Sequence, residues 1–173
     1  MPNLLLENDI LRMRPTIEND IPYILETEND PANSPYVFQW TKEKHKAAFD
    51  NLDLLHLVLE DKETGERVGY MIVAGINSPH KSIELMRLAV SKKNKGFGRD
   101  SIRLLLDHAF NTLSAHRVWL DVKEYNFSAK SLYDYLGFIQ EGLLREAVFH
   151  NGKYDSIYVM SILEKDYKIQ TGI

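Results

Sequence analysis

The stretch Ile83-Glu84-Leu85-Met86-Arg87-Leu88-Ala89-Val90, followed by Ser91-Lys92-Lys93-Asn94-Lys95-Gly96-Phe97-Gly98-Arg99, decides the fold. Its first half is a mostly apolar run of strand length, interrupted by Glu84 and Arg87. Its second half is a lysine-rich turn carrying two glycines, Gly96 and Gly98. A helical pattern follows, with Ile102, Leu105, Leu106, Ala109, Phe110 and Leu113 recurring at i, i+3, i+4, i+7, i+8 and i+11. A strand that passes through glycines into a helix presents unpaired backbone N–H groups and a partial positive charge to an anion. Lys92, Lys93, Lys95 and Arg99 add cationic charge at the same place. The corner therefore reads as a pyrophosphate cradle, set against the plainer reading of a glycine turn with solvated lysines.

Upstream, residues 54–60 and 68–74 are strand-like runs joined by the charged turn Asp61-Lys62-Glu63-Thr64-Gly65-Glu66, and they predict a hairpin. Residues 4–6 and 10–14 predict a short strand pair or one interrupted strand, stopped by Pro15. Thr16 is the expected N-cap of a helix running towards Glu28, with Glu18 and Asp20 at its positive end. Residues 30–35 form a loop, and Thr41 opens a second helix through Phe49. Downstream come a strand at 118–122, a helix at 128–136 ended by Gly137, and a last hairpin turning at Asn151-Gly152. This order predicts an α+β chain with a mixed sheet. No repeat or Pro/Gly/Ser linker divides it, so one domain over residues 1–173 is expected.

Composition narrows the function. A net charge of −4 supplies no basic field for nucleic acid, so no nucleic-acid partner is expected. With no cysteine, disulfides, thiolate metal sites and a covalent cysteine intermediate are excluded. The six histidines show no pair at metal-ligand spacing on one helix, and no metal is expected. No apolar stretch reaches the length of a membrane span, and residues 1–7 lack the basic start and apolar run of a signal peptide. A cytoplasmic protein with no membrane partner is the expectation.

Two familiar phosphate motifs do not fit the corner. A dinucleotide fingerprint needs a first glycine close to the strand end, and a Walker loop needs Gly-Lys-Ser/Thr at its close. Instead, Lys93-Asn94-Lys95-Gly96-Phe97-Gly98 resembles the Gln/Arg-x-x-Gly-x-Gly/Ala motif of the GNAT superfamily of N-acetyltransferases. Asn126-Phe127-Ser128-Ala129-Lys130-Ser131-Leu132-Tyr133-Asp134-Tyr135-Leu136-Gly137-Phe138 resembles that family's Asn-x-x-Ala-x-x-x-Tyr-x-x-x-Gly-Phe segment. The likeness covers nearly the whole chain and is greatest to the ribosomal-protein N-terminal acetyltransferase type and the spermidine acetyltransferases. One departure is Lys93 at the first motif position, where lysine keeps the charge but lacks a planar donor fork.

The resemblance implies a mostly antiparallel central sheet of about six or seven strands flanked by about four helices. It implies acetyl-CoA as cosubstrate, with the amides of residues 95–99 on the pyrophosphate. Lys93, Lys95, Gly96, Phe97, Gly98 and Arg99 would surround it, Leu88 and Val90 would lie along the cofactor, and Asp100 would point to the outer side. Acetyl transfer to an amine needs a base, an oxyanion donor and an acid. Glu84, on an apolar strand where desolvation raises a carboxyl pKa, is the candidate base, directly or through water. The alternative is a solvated Glu84 or one paired with Arg87. The Leu88 backbone N–H is implied as the oxyanion donor. Tyr133, a phenol that stays protonated at neutral pH, is the candidate acid, while Tyr135 falls on another side of the helix. Asn126 caps this helix or touches the CoA chain. Tyr36 and Trp40, in an aromatic stretch, line the acceptor side together with Glu84, or else pack in the core or a dimer contact. The expected partner is an amine, a protein N-terminus first and a polyamine or other small amine second, with a homodimer left open. A non-catalytic CoA-binding sensor is the reading from another class.

Overall fold

A computed structural model describes residues 4–172. Eight strands form one sheet in the order β1-β2-β3-β4-β5-β6-β8-β7. The expected hairpin is β3 (Leu54–Asp61) and β4 (Arg67–Ala74), and the deciding run is β5 (Ser82–Val90). β1 (Leu6–Glu7) and β2 (Leu11–Pro15) extend the sheet at one edge. At the other lie β6 (Arg117–Lys123), β7 (Ile139–His150) and β8 (Lys153–Leu163). Asn151 and Gly152 turn β7 into β8 with φ of 52° and 80°, the left-handed pair that a tight hairpin turn requires.

The glycine corner leads into α3 (Phe97–Asp107), which continues through a π turn at His108–Thr112. Its apolar stripe meets β-strand residues such as Leu57, Leu85, Val118 and Leu120 in the main core. The opposite sheet face is covered by α1 (Ile21–Asn29) and α2 (Lys42–Phe49), with Ile24 and Val37 against Tyr70, Ile72 and Ala89. α4 (Phe127–Tyr135) ends as expected, with Gly137 at φ 88°.

Three expectations change. Thr16 does not cap the first helix; its hydroxyl meets His56 Nδ1 at 2.9 Å. A single 3-10 turn at Glu18–Asp20 comes first, and the Asp20 carboxylate accepts from Ile17 N–H at 2.9 Å. A fifth helix, α5 (Glu164–Thr171), was not foreseen because it buries only Tyr167 and so shows little apolar period. The sheet has eight strands rather than six or seven because both short edge strands pair.

Beneath α1 and α2 lies a buried polar chain. Glu28 is fully buried and accepts from Tyr70 O–H at 2.5 Å, Arg87 Nη1 at 2.9 Å and the Trp40 N–H at 2.9 Å. His45 Nε2 approaches it at 3.2 Å, off the line of a good hydrogen bond, while His45 Nδ1 meets His56 Nε2 at 2.9 Å. Burial, and then the neighbouring His45, hold the His56 pKa down to about 3, so this ring is neutral at physiological pH.

Candidate active site

The site arises where two parallel strands part. β5 and β6 pair only from Ser82 with Arg117 to Glu84 with Trp119. Between β4 and β5 the register jumps from Ile72–Arg87 to Val73–Leu85, leaving Met86 as the extra residue of a bulge. A bulge bends its strand, and here it falls just where β6 departs. The result is a cleft of about 480 Å³ between β5, β6, α3, α4 and the loop after α1.

The direction of the β5 backbone follows from alternation. Ser91 N–H donates to Val68 O on β4, whereas Val90 O, facing the other edge, accepts from Asn33 Nδ2 at 3.4 Å. Counting back, Leu88 turns its N–H and C=O to the same free edge as Val90, into the cleft. Both residues line it.

At one end of the cleft, Gly96 adopts φ 86° as the N-cap of α3. Asp100 N–H returns to Gly96 O, while the amides of residues 97–99 have no protein acceptor among the described residues. Gly96, Phe97, Gly98 and Arg99 line this end, as do Lys92 and Lys93. Lys93 reaches Asn33 Oδ1, and burial lowers its ammonium pKa. Lys95 departs from expectation, lying off the cleft in a separate depression with Asp9 and Ile10. Asp100 does turn from the cleft, but it is buried rather than outside, held by Asn8 Nδ2 at 3.2 Å and Arg99 Nε at 3.0 Å.

Midway, α4 and β6 bring Tyr133 and Asp121 to the cleft. Asn126 both caps α4, accepting from Ala129 N–H at 3.3 Å, and lines the cleft. Tyr133 is half-buried against Phe138, and its hydroxyl has no protein partner among the described residues. Burial, and then the Asp121 charge, push its pKa up to about 12. Glu84 sits at the closed end rather than on the lining, its pKa raised by burial and then by Asp121. The Asp121 carboxyl is itself raised by burial. Its side chain is nonetheless exposed to the open cleft, where bound ligands would displace solvent from it. Asp121 was missed in the sequence. Val118, Leu120 and Val122 mark the core face of β6, so its outward position was legible, but not that this face borders the cleft.

On the remaining side stand Tyr36, Val37, Phe38, Arg87 and Lys123. Lys123 is tied to Pro35 O at 2.9 Å, Asp155 at 3.0 Å and His150. Trp40 does not line the cleft. It stacks behind Arg87, with the guanidinium 4.6 Å from its ring and Lys44 4.3 Å away. Among the described residues no three of His, Asp and Glu gather to hold a metal, and no helix is long and apolar enough to cross a membrane.

A strand splayed from its parallel neighbour, over a glycine-capped helix with free amides, is the framework of an acyl-CoA-using transferase. Residues 21–138 match the Acetyltransferase (GNAT) family, and the chain belongs to it. It is an N-acetyltransferase with acetyl-CoA as its acetyl donor. The chain is 31% identical to the spermidine N(1)-acetyltransferase of Vibrio cholerae over 92% of its own length and 96% of that protein's. It is 26% identical to the Escherichia coli spermidine N(1)-acetyltransferase over 91% and 88%. The crystal structure of the Vibrio cholerae enzyme with CoA and spermine superposes with a TM-score of 0.82 at 28% identity, over 92% of this chain and 99% of that one.

The glycine corner can be tested directly. A Cβ on Gly98 would sit 3.7 Å from Val90 Cγ2 and 3.8 Å from Leu132 Cδ2, so a larger side chain fits the helix but fills the cleft. Gly98→Val is expected to weaken acetyl-CoA binding by about tenfold or more in calorimetry, the loss of roughly one amide–phosphate hydrogen bond. Wild-type affinity would remove this corner from the cofactor site.

Proposed function

We propose that the chain transfers acetyl from acetyl-CoA directly to the primary amine of a small molecule, with Leu88, Asp121 and Tyr133 around the reacting atoms. The observation that carries this reading is the cleft itself, which places a free β5 N–H, a raised carboxyl and an unpartnered phenol along one opening. The amides of residues 97–99 suit the pyrophosphate, being unpaired at a helix N-terminus. Leu88 N–H would donate to the thioester oxygen as negative charge develops there. Asp121, whose proton affinity is raised by burial, would take the proton of the incoming ammonium.

Tyr133 has a narrower task than a full acid. With its pKa up to about 12 and an ordinary thiol near 8.5, complete proton transfer to the thiolate is uphill by about 5 kcal/mol. Its O–H therefore stabilises the leaving sulfur by hydrogen bonding. Tyr133→Phe is expected to lower kcat by roughly 10²-fold while acetyl-CoA affinity stays within about threefold. A collapse of cofactor binding instead would assign Tyr133 to packing.

The acceptor named for the relatives is spermidine, and that likeness supports a small amine, a polyamine included, over a protein N-terminus. Release of CoA thiol on adding a panel of small amines and peptide N-termini tests the reading. Binding of acetyl-CoA with no thiol released by any amine would favour a sensor.

A further inference from the structure

Arg87 is 8% exposed and yet lines the cleft. Its Nη1 donates to Glu28 Oε1 at 2.9 Å, and the guanidinium makes no other hydrogen bond among the described residues. Neither Nε nor Nη2 is sealed from solvent as an orphaned polar atom. Glu28 holds one end of the group, with the Tyr70 hydroxyl close by, and Trp40 covers a face at 4.6 Å; the Nε–Nη2 edge has no hydrogen-bond partner among the described residues, on a residue that lines the cleft. That edge carries two parallel N–H groups, the fork that takes a carboxylate through two hydrogen bonds. A cation this buried gains a second strong partner when such a group arrives.

The placement is relevant to the acceptor. Arg87 precedes Leu88, whose N–H faces the free edge of β5. Arg87 and Asp121 both project to the α1–α2 side of the sheet, since Leu85, Leu88, Leu120 and Val122 pack on the α3 side. The charge of the lining points the same way. Asp121 is its one carboxylate; on the acceptor side stand Arg87 and Lys123, the latter paired with Asp155, whereas Lys92, Lys93 and Arg99 lie at the glycine corner. A linear polyamine would meet one acidic group and leave the Arg87 edge facing another cation. Tyr36 and Phe38 nearby suit an apolar remainder.

Resting on the acetyl-transfer reading above, we infer that the acceptor carries a carboxylate within a few bonds of its reacting amine, held by Arg87 Nε and Nη2 as the carboxylate of an α-amino acid would be. The Glu28–Trp40 setting fixes the fork in advance, so the carboxylate orients the amine towards Asp121.

Matched pairs test this on the unaltered enzyme by thiol release from acetyl-CoA: phenylalanine against phenethylamine, and ornithine against putrescine, with spermidine alongside. The carboxylate-bearing member is expected to show kcat/KM about 30- to 100-fold higher, mainly through KM. Arg87→Lys keeps a charge for Glu28 but loses the fork, and it should shrink the difference within each pair to about threefold or less. Equal rates within the pairs, spermidine ahead of every amino acid, or a preference that survives in Arg87→Lys would overturn the inference and leave acetyl transfer standing. No thiol release from any acceptor would overturn both.

Discussion

Asp121→Asn is expected to lower turnover by roughly 10²- to 10⁴-fold at neutral pH, the range for loss of a positioned proton acceptor. The ammonium of an alkylamine, with pKa near 10, must lose a proton before it attacks, and Asp121 is the carboxylate on the cleft wall. Its pKa is raised by burial, so activity should fall as pH drops through a value above that of an ordinary aspartate. In Asp121→Asn that acid limb should vanish, and the deficit should narrow at high pH, where more amine arrives already neutral. The sign for stability runs the other way. A carboxyl whose folded pKa is raised contributes stability below its unfolded pKa and loses it as pH rises through the folded one. The asparagine variant should therefore melt no lower than wild type at pH 7, separating lost chemistry from lost folding. Glu84→Gln provides the contrast, because the Asp121 charge raises the Glu84 pKa and neighbouring like charges oppose each other's ionisation. Removing the Glu84 charge should move the acid limb of kcat/KM to lower pH with a loss of only about tenfold. An inactive Glu84→Gln beside a nearly normal Asp121→Asn would return the base to Glu84.

Glu28→Ala should destabilise the fold by roughly 3–5 kcal/mol in chemical denaturation, because it leaves the buried Arg87 without its counter-charge. Burial alone would raise the Glu28 pKa. The close His45 ring, hydrogen bonds from Tyr70 and the Trp40 N–H, and the Arg87 charge outweigh it and hold the carboxyl below its usual range. Its contribution is therefore present above the unfolded pKa and lost as pH falls through the folded value. The variant should lack that part of the acid-induced loss. A change below about 1 kcal/mol would mean that water replaces the carboxylate at low cost and that Arg87 is not held by it.

Much of the site was legible before the fold. Gly96 and Gly98 were readable because a glycine-rich entry to an amphipathic helix is local backbone chemistry. Tyr133 stood out because residues 126–138 resemble the family's Asn-x-x-Ala-x-x-x-Tyr-x-x-x-Gly-Phe segment, in which it holds the tyrosine position. Glu84 drew attention as an acid in an apolar strand, and burial does raise its pKa, but the fold sets it at the closed end rather than on the cleft wall. Arg87 was first considered as the partner of Glu84. It pairs instead with Glu28, far away in sequence and brought under it by α1. Lys95 and Trp40 carried the right chemistry in the right segments, yet their side chains take other directions.

The order of elements from α1 to β8, the hairpin turns, the apolar stripe of α3 and the free-amide corner were determined by the sequence alone, because each depends on neighbours within one or two turns of chain. The placement of Asp121 beside Tyr133, the opening of β5 from β6 and the spare edge of Arg87 were decided only by the tertiary structure. Each depends on where two strands stop pairing and on one extra residue, Met86, in the ladder to β4. Period-two alternation says which side chains share a face, but only the sheet says which face meets the cleft.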